Sequence, residues 1–171
     1  MADNTLVIDV DVARDAASVP PVTDIESWVA RAVAGAGRAL AAGTEVSVRI
    51  VGEEESRLLN REYRGKDRAT NVLSFPAGPV EGLPAGEPRV LGDLVVCAAV
   101  VDGEACAAGR PAAEHWAHIV VHGMLHLLGF DHETDSDAEV MEALETRILT
   151  GHGIPDPYGA EGRRTGTIPR L

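Results

Sequence analysis

The segment VVHGMLHLLGFDHE constrains this chain more than any other, because it sets three histidines at fixed intervals along and just beyond an apolar helical repeat. Within AAEHWAHIVVHGMLHLLG the apolar residues recur at helical spacing, which predicts the longest helix of the chain, stopping at Gly129. Residues four apart on a helix differ by about 40° in azimuth, so His122 and His126 project from one side within reach of one ion. Gly129 can take a positive φ, end the helix and turn the chain back, which brings His132 toward the same point. Three neutral imidazoles leave a tetrahedral ion one open position, the arrangement of a catalytic rather than a structural zinc site. The chain therefore reads as a small, soluble hydrolase built around one metal ion held by His122, His126 and His132. His118, one turn before His122, is expected behind the ligands or at the surface.

The rest of the chain supplies a frame for that helix. A length of 171 residues fits one domain, and 45% hydrophobic residues suffice for a core without staples. LVIDVDVA alternates apolar and acidic residues and predicts an edge or half-buried strand. A helix is expected from an Asp24 cap to about Ala42, with Gly43 just past its end, followed by a strand over 44–51 and a short helix over 53–63. NVLSF at 71–75 reads as a strand, residues 76–88 as a Pro/Gly loop, and 91–96 as a strand running into a helix that ends near Gly109. The last helix is expected over 136–150, with Ser136 as cap and Glu139 at the capping-box spacing. The order predicts an α+β fold, a single small mixed β-sheet packed with helices and carrying a metzincin-like metal helix. Residues 1–150 form one metal-dependent hydrolase domain in this reading, and 151–171 a poorly ordered C-terminal tail.

Charge and cysteine usage narrow the function. The formal charge of −12 argues against a polyanionic partner for the chain as a whole. Yet five basic residues, Arg57, Arg61, Arg64, Lys66 and Arg68, stand against only two acids between positions 57 and 68, so a local basic patch survives. With 4% aromatic residues, few rings remain for a base-stacking surface. Cys97 and Cys106 form no CxxC pair and read as two buried thiols. No signal peptide or membrane span is visible, which makes the cytoplasm the expected location.

The histidine spacing is similar to the H-E-x-x-H-x-x-G-x-x-H pattern of metzincin proteases, with one difference that matters. Gly123 stands where those enzymes carry the glutamate that serves as general base, so a metzincin-like metallopeptidase lacks its water-activating group. Taken together, HGMLHLLGFDH, NREYRGKDRATNVLSFP and LGDLVVC resemble the YbeY family of bacterial endoribonucleases, also called ribosomal RNA maturation factors. The three motifs occur in the right order and cover about residues 57–150. This resemblance implies a zinc-dependent, single-strand-specific endoribonuclease that acts in ribosomal RNA maturation and ribosome quality control. Its partners would be single-stranded RNA, ribosomal RNA and the small ribosomal subunit.

The resemblance places the family's zinc ligands on His122, His126 and His132, one Zn2+ per chain, and its functionally important arginine on Arg64 within YRGKD. Where the family often has proline before the threonine, this chain has Ala69. A guanidinium can grip a phosphate through two parallel hydrogen bonds, which suits Arg64 to a catalytic role and Arg61, Lys66 and Arg68 to holding the strand. Asp93 and Asp131 are the candidate general bases, with Asp131 better suited to orienting an imidazole. A ribosome-associated metal-binding factor with little catalysis is the alternative in a different class.

Overall fold

The alternating segments become parallel strands β1 (Val7–Val12) and β2 (Glu45–Val51), paired with Ile8 opposite Val46. In this computed structural model, residues 6–78, 81–84 and 86–159 are described. Strand β4 (Val90–Cys97) pairs parallel to β2, and β3 (Val72–Pro76) pairs antiparallel to β4, with Leu73 opposite Val95. The order β1-β2-β4-β3 gives one four-stranded mixed sheet, so the α+β expectation matches the fold. β1 lies at an edge, as its acidic alternation requires: Asp9 and Asp11 face solvent while Ile8 and Val10 pack on the core.

Five helices complete the chain: α1 (Val22–Gly35), α2 (Glu53–Arg64), α3 (Ala98–Ala107), α4 (Ala112–Leu127) and α5 (Asp135–Thr150). Helices α1, α4 and α5 share one core with one face of the sheet, where Ile25, Val29, Val48, Leu94, Val96, Trp116, Val120 and Met141 meet. Helix α2 packs on the opposite face, where its Leu59 joins a smaller cluster of Val51, Leu73, Val95 and Cys97. The sheet thus separates the helix rich in histidine from the helix rich in arginine.

Three boundaries differ from the sequence reading. α1 stops at Gly35 rather than Ala42, because Gly37 takes φ 66° and two weak helix formers, Gly35 and Gly37, fall within three residues. Asp24 lies in its first turn, while the N-cap is Pro21. α5 is capped by Thr134, whose hydroxyl accepts the Asp137 N–H at 3.1 Å, and Ser136 is already helical. Of the two thiols expected to be buried, Cys97 is, but Cys106 is exposed on α3. From Gly151 to Gly159 the chain folds back over the helices: Arg110 donates to the Pro157 carbonyl at 2.9 Å and Thr146 to Asp156 at 3.0 Å. The remainder of the expected tail, 160–171, lies outside the described residues.

Candidate metal centre

Helix α4 owes its position to burial: twelve of its residues, from His115 through Leu127, are buried, so its register on the sheet is fixed. Gly123 lies against β3 and β4, where a Cβ would stand 3.0 Å from both Leu94 and Val72, and its carbonyl accepts the Ser74 hydroxyl at 3.0 Å. That contact sets where His122 and His126, one residue before and three after, leave the helix.

The helix ends in a Schellman turn. Gly129, at φ 96°, donates to the His126 carbonyl at 3.1 Å, and Phe130 donates to the Leu125 carbonyl at 3.0 Å. The turn sends the chain back, as the sequence predicts, and Asp131 stabilises it by accepting the Glu133 N–H at 3.2 Å. Asp131 therefore shapes the loop that carries His132 and, among the described residues, orients no imidazole by hydrogen bonding, which differs from the expectation made for it.

The three rings meet. Their candidate ligand atoms lie within 4.8 Å of one another, and the ring centroids are 4.7 Å (His122–His126), 4.9 Å (His126–His132) and 5.7 Å (His122–His132) apart. The tautomers follow from the hydrogen bonds on the far side of two rings. His122 donates from Nδ1 to Glu145 Oε1 at 2.6 Å, and His126 donates from Nδ1 to the Phe130 carbonyl at 3.0 Å. Both Nε2 atoms then present lone pairs, and they face each other at 3.2 Å. Two lone pairs at that separation repel unless a cation lies between them. Ligands at about 2.05 Å in tetrahedral array sit about 3.3 Å apart, so the spacing fits one ion. His132 Nε2 is buried with no hydrogen-bond partner among the described residues, a third nitrogen left to ligate. Burial first, then the neighbouring His122 and His132, push His126 down to about 4, so its ring is neutral and available near pH 7.

Behind the triad lies a residue that the sequence reading passed over. Glu145 on α5 is fully buried, and besides His122 it accepts from His118 Nε2 at 2.8 Å and from the Tyr158 hydroxyl at 2.5 Å. Burial alone would raise its pKa, but hydrogen bonds from His118 and His122 outweigh burial and hold the carboxyl well below the ordinary carboxylate range. The signal was in the sequence: Glu145 interrupts the apolar stripe Ala138, Met141, Leu144, Ile148, Leu149 at the spacing of a core position. His118 is buried behind the ligands, one of the two places expected for it.

The basic residues belong to a different part of the molecule. Arg61 and Arg64 lie in the last turn of α2, and Gly65 closes that helix in the left-handed conformation at φ 69°. The loop that follows is held rigidly: Asn60 donates to the Arg68 carbonyl at 2.8 Å, and the Ser56 hydroxyl bridges the Thr70 backbone at 3.0 Å. Arg57 is neutralised by Asp67 at 2.8 Å, which leaves Arg61, Arg64, Lys66 and Arg68 exposed with no ion pair among the described residues. Although Arg64 is exposed by area, enough protein surrounds its guanidinium to lower its pKa by desolvation; an arginine remains charged at any physiological pH. No hydrogen bond joins these four side chains to the histidines among the described residues. The end of α2 that carries Arg61 and Arg64 is tied to edge strand β3. Tyr63, next to Arg64, packs edge-on against Phe75 at 4.9 Å, while Ser74, the adjoining residue of edge strand β3, holds Gly123 beside His122. Asp93 faces away from the triad, into the cleft on the α2 side with Asp9, Asp11 and Arg49, which removes it as a general-base candidate.

Comparison with known proteins decides the family. A family profile described as "Endoribonuclease YbeY" matches residues 10–153. The chain belongs to the endoribonuclease YbeY family. It is 55% identical over 142 residues to the "Endoribonuclease YbeY" of Halorhodospira halophila, covering 83% of this chain and 90% of that one. It is 51% identical over 167 residues to the protein of the same name from Alcanivorax borkumensis, covering 96% and 93%. The solution structure of TM1509 from Thermotoga maritima shares the fold at TM-score 0.54 and 22% identity, over 92% of this chain and 99% of that one. No helix among the described residues is long and apolar enough to cross a membrane.

Proposed function

We propose that this chain is a zinc-dependent endoribonuclease that cuts single-stranded RNA, acting in the cytoplasm on ribosomal RNA and in quality control of the small ribosomal subunit. The convergence of three Nε2 atoms, two of them fixed as acceptors by what their Nδ1 atoms touch, carries the reading. An all-imidazole set of three suits zinc with an open position, and family membership supplies RNA as the substrate class. When bound, the ion supplies Lewis acidity and lowers the pKa of a coordinated water to about 7.

The protein's own residues do the rest. His122, His126 and His132 hold one zinc ion per chain, and Glu145 and the Phe130 carbonyl keep the first two rings aimed. Arg64 presents an unpaired guanidinium that can form two hydrogen bonds to a phosphate and counter the charge that grows there in the transition state. Arg61, in the last turn of α2, and Lys66 and Arg68, on the pinned loop that follows, hold the flanking phosphates. A strand laid across β3 meets both sets. Since Gly123 offers no carboxylate and is packed against the sheet, the peptidase alternative has no structural support.

The test is cleavage of a single-stranded RNA by purified protein with and without chelator, beside the Arg64→Ala and His126→Ala variants. Cleavage should disappear on chelation. It should fall at least about a hundredfold in Arg64→Ala with zinc content unchanged, and disappear with the zinc in His126→Ala. Wild-type protein that binds zinc and ribosomes but leaves RNA intact would instead establish the binding-factor alternative.

A further inference from the structure

Glu145 does more than aim one ring, because the three groups that donate to it come from α4 and from the segment after α5. Its Oε1 accepts from the metal-facing His122 at 2.6 Å; its Oε2 accepts from His118 at 2.8 Å and from Tyr158 at 2.5 Å. The carboxylate has no exposure to solvent, so these donors replace all the water it lost. Tyr158 is placed by its own segment: its backbone N–H donates to Asp156 Oδ1 at 2.9 Å, and the same oxygen accepts from Thr146 on α5 at 3.0 Å. Arg110 clamps the Pro157 carbonyl at 2.9 Å from the other side. The hydroxyl therefore arrives at Glu145 from a docked segment and not from a free tail.

We propose that Tyr158 is a positioning residue of the metal centre, acting through Glu145 and His122, so that docking of residues 151–159 and binding of the metal reinforce each other. The physical link is a chain of polarised bonds. A cation on His122 Nε2 makes its Nδ1–H a stronger donor, and that tightens its bond to Glu145. An undocked segment removes one of the donors on Oε2. The buried carboxylate is then under-solvated and less well fixed, and the His122 ring with it. By linkage the effect is reciprocal: whatever factor docking adds to metal affinity, the metal adds to docking. This inference rests on the zinc reading above, and its test separates the two.

Zinc affinity of the full-length protein is measured by competition with a chromophoric chelator, using zinc alone as the ligand. Tyr158→Phe should bind zinc weaker by on the order of three- to tenfold, and Glu145→Gln by about 10–100-fold. Within the Glu145→Gln background, Tyr158→Phe should matter less than in wild type, as expected of an effect transmitted through Glu145. Asp156→Ala, which loosens the segment without touching Glu145, should weaken zinc binding as well. Hydrogen exchange supplies an independent readout: amides of 151–159 should gain protection when zinc is added to wild type and fail to do so in Tyr158→Phe. Equal zinc affinity of Tyr158→Phe and wild type, or exchange in 151–159 that ignores zinc, overturns the coupling and leaves the metal centre standing. Wild-type protein that takes up no zinc overturns the zinc reading itself.

Discussion

Gly123 is a point of close approach between the metal helix and the sheet, and adding one methyl group there measures how tightly the two are fitted. An ideal Cβ would lie 3.0 Å from Leu94 Cδ2, 3.0 Å from Val72 Cγ2 and 3.4 Å from Ser74 Oγ. Carbon atoms rest at about 3.5–4.0 Å, so α4 or the two strands must yield by several tenths of an ångström. Leu94 and Val72 are themselves buried in the core and have little room to turn. Overpacking of this kind costs about 1–3 kcal/mol. Alanine in place of glycine inside a helix returns about 0.8–1 kcal/mol, so Gly123→Ala should be destabilised by about 1 kcal/mol net. With a urea slope of about 1–3 kcal/mol per molar, that is a midpoint lower by roughly half a molar in the zinc-free protein, with the slope unchanged. Gly123→Glu, which recreates the protease motif, adds a buried unpaired carboxylate and should lose about 3 kcal/mol or more without gaining activity on denatured protein. A Gly123→Ala midpoint above wild type would show that the helix is not pressed against β3 and β4. A folded Gly123→Glu that cuts protein would refute the reasoning that separates this site from a peptidase.

Two further predictions concern the acid limb and the turn. Burial, against the pull of Glu145, lowers His118, and burial together with its neighbours lowers His126 to about 4. An unfolded histidine titrates near about 6.5, so the unfolded chain binds more protons in between. Metal-free protein should therefore keep its full stability above about pH 7 and lose it progressively as pH falls toward about 4. Melting temperatures in chelator across that range check this, and a flat profile contradicts it. Gly129→Ala meets no atom within 4 Å, so its cost is the φ of 96° alone, about 1 kcal/mol by urea denaturation. Because the same turn delivers His132, zinc affinity should fall in parallel; an unchanged affinity would detach the turn from the site.

Features encoded locally could be read from the sequence, and those made by long-range contact could not. His122, His126, Gly129 and His132 sit within one helix and its terminal turn, where period and glycine chemistry determine geometry, and the structure brings all three rings together. Strands β1 and β2 were equally legible from alternation; the order of the sheet was not, because β3 pairs across a long loop with β4 and turns antiparallel. Glu145 was hidden because its partners lie on α4 and beyond α5, although a carboxylate in an apolar stripe was a readable anomaly. The end of α1 differs for a local reason: Gly35 and Gly37 fall within three residues and Gly37 takes the left-handed conformation, so the helix stops before Gly43 is reached. Asp93 looked catalytic only because its face of β4 could not be known before the sheet was assembled.

Zinc-edge X-ray absorption of the loaded protein tests the central claim most directly. The account predicts one zinc per chain with three imidazole nitrogens at about 2.0–2.1 Å and one oxygen donor at the open position. A sulfur shell at about 2.3 Å, or fewer than three imidazoles, would contradict it.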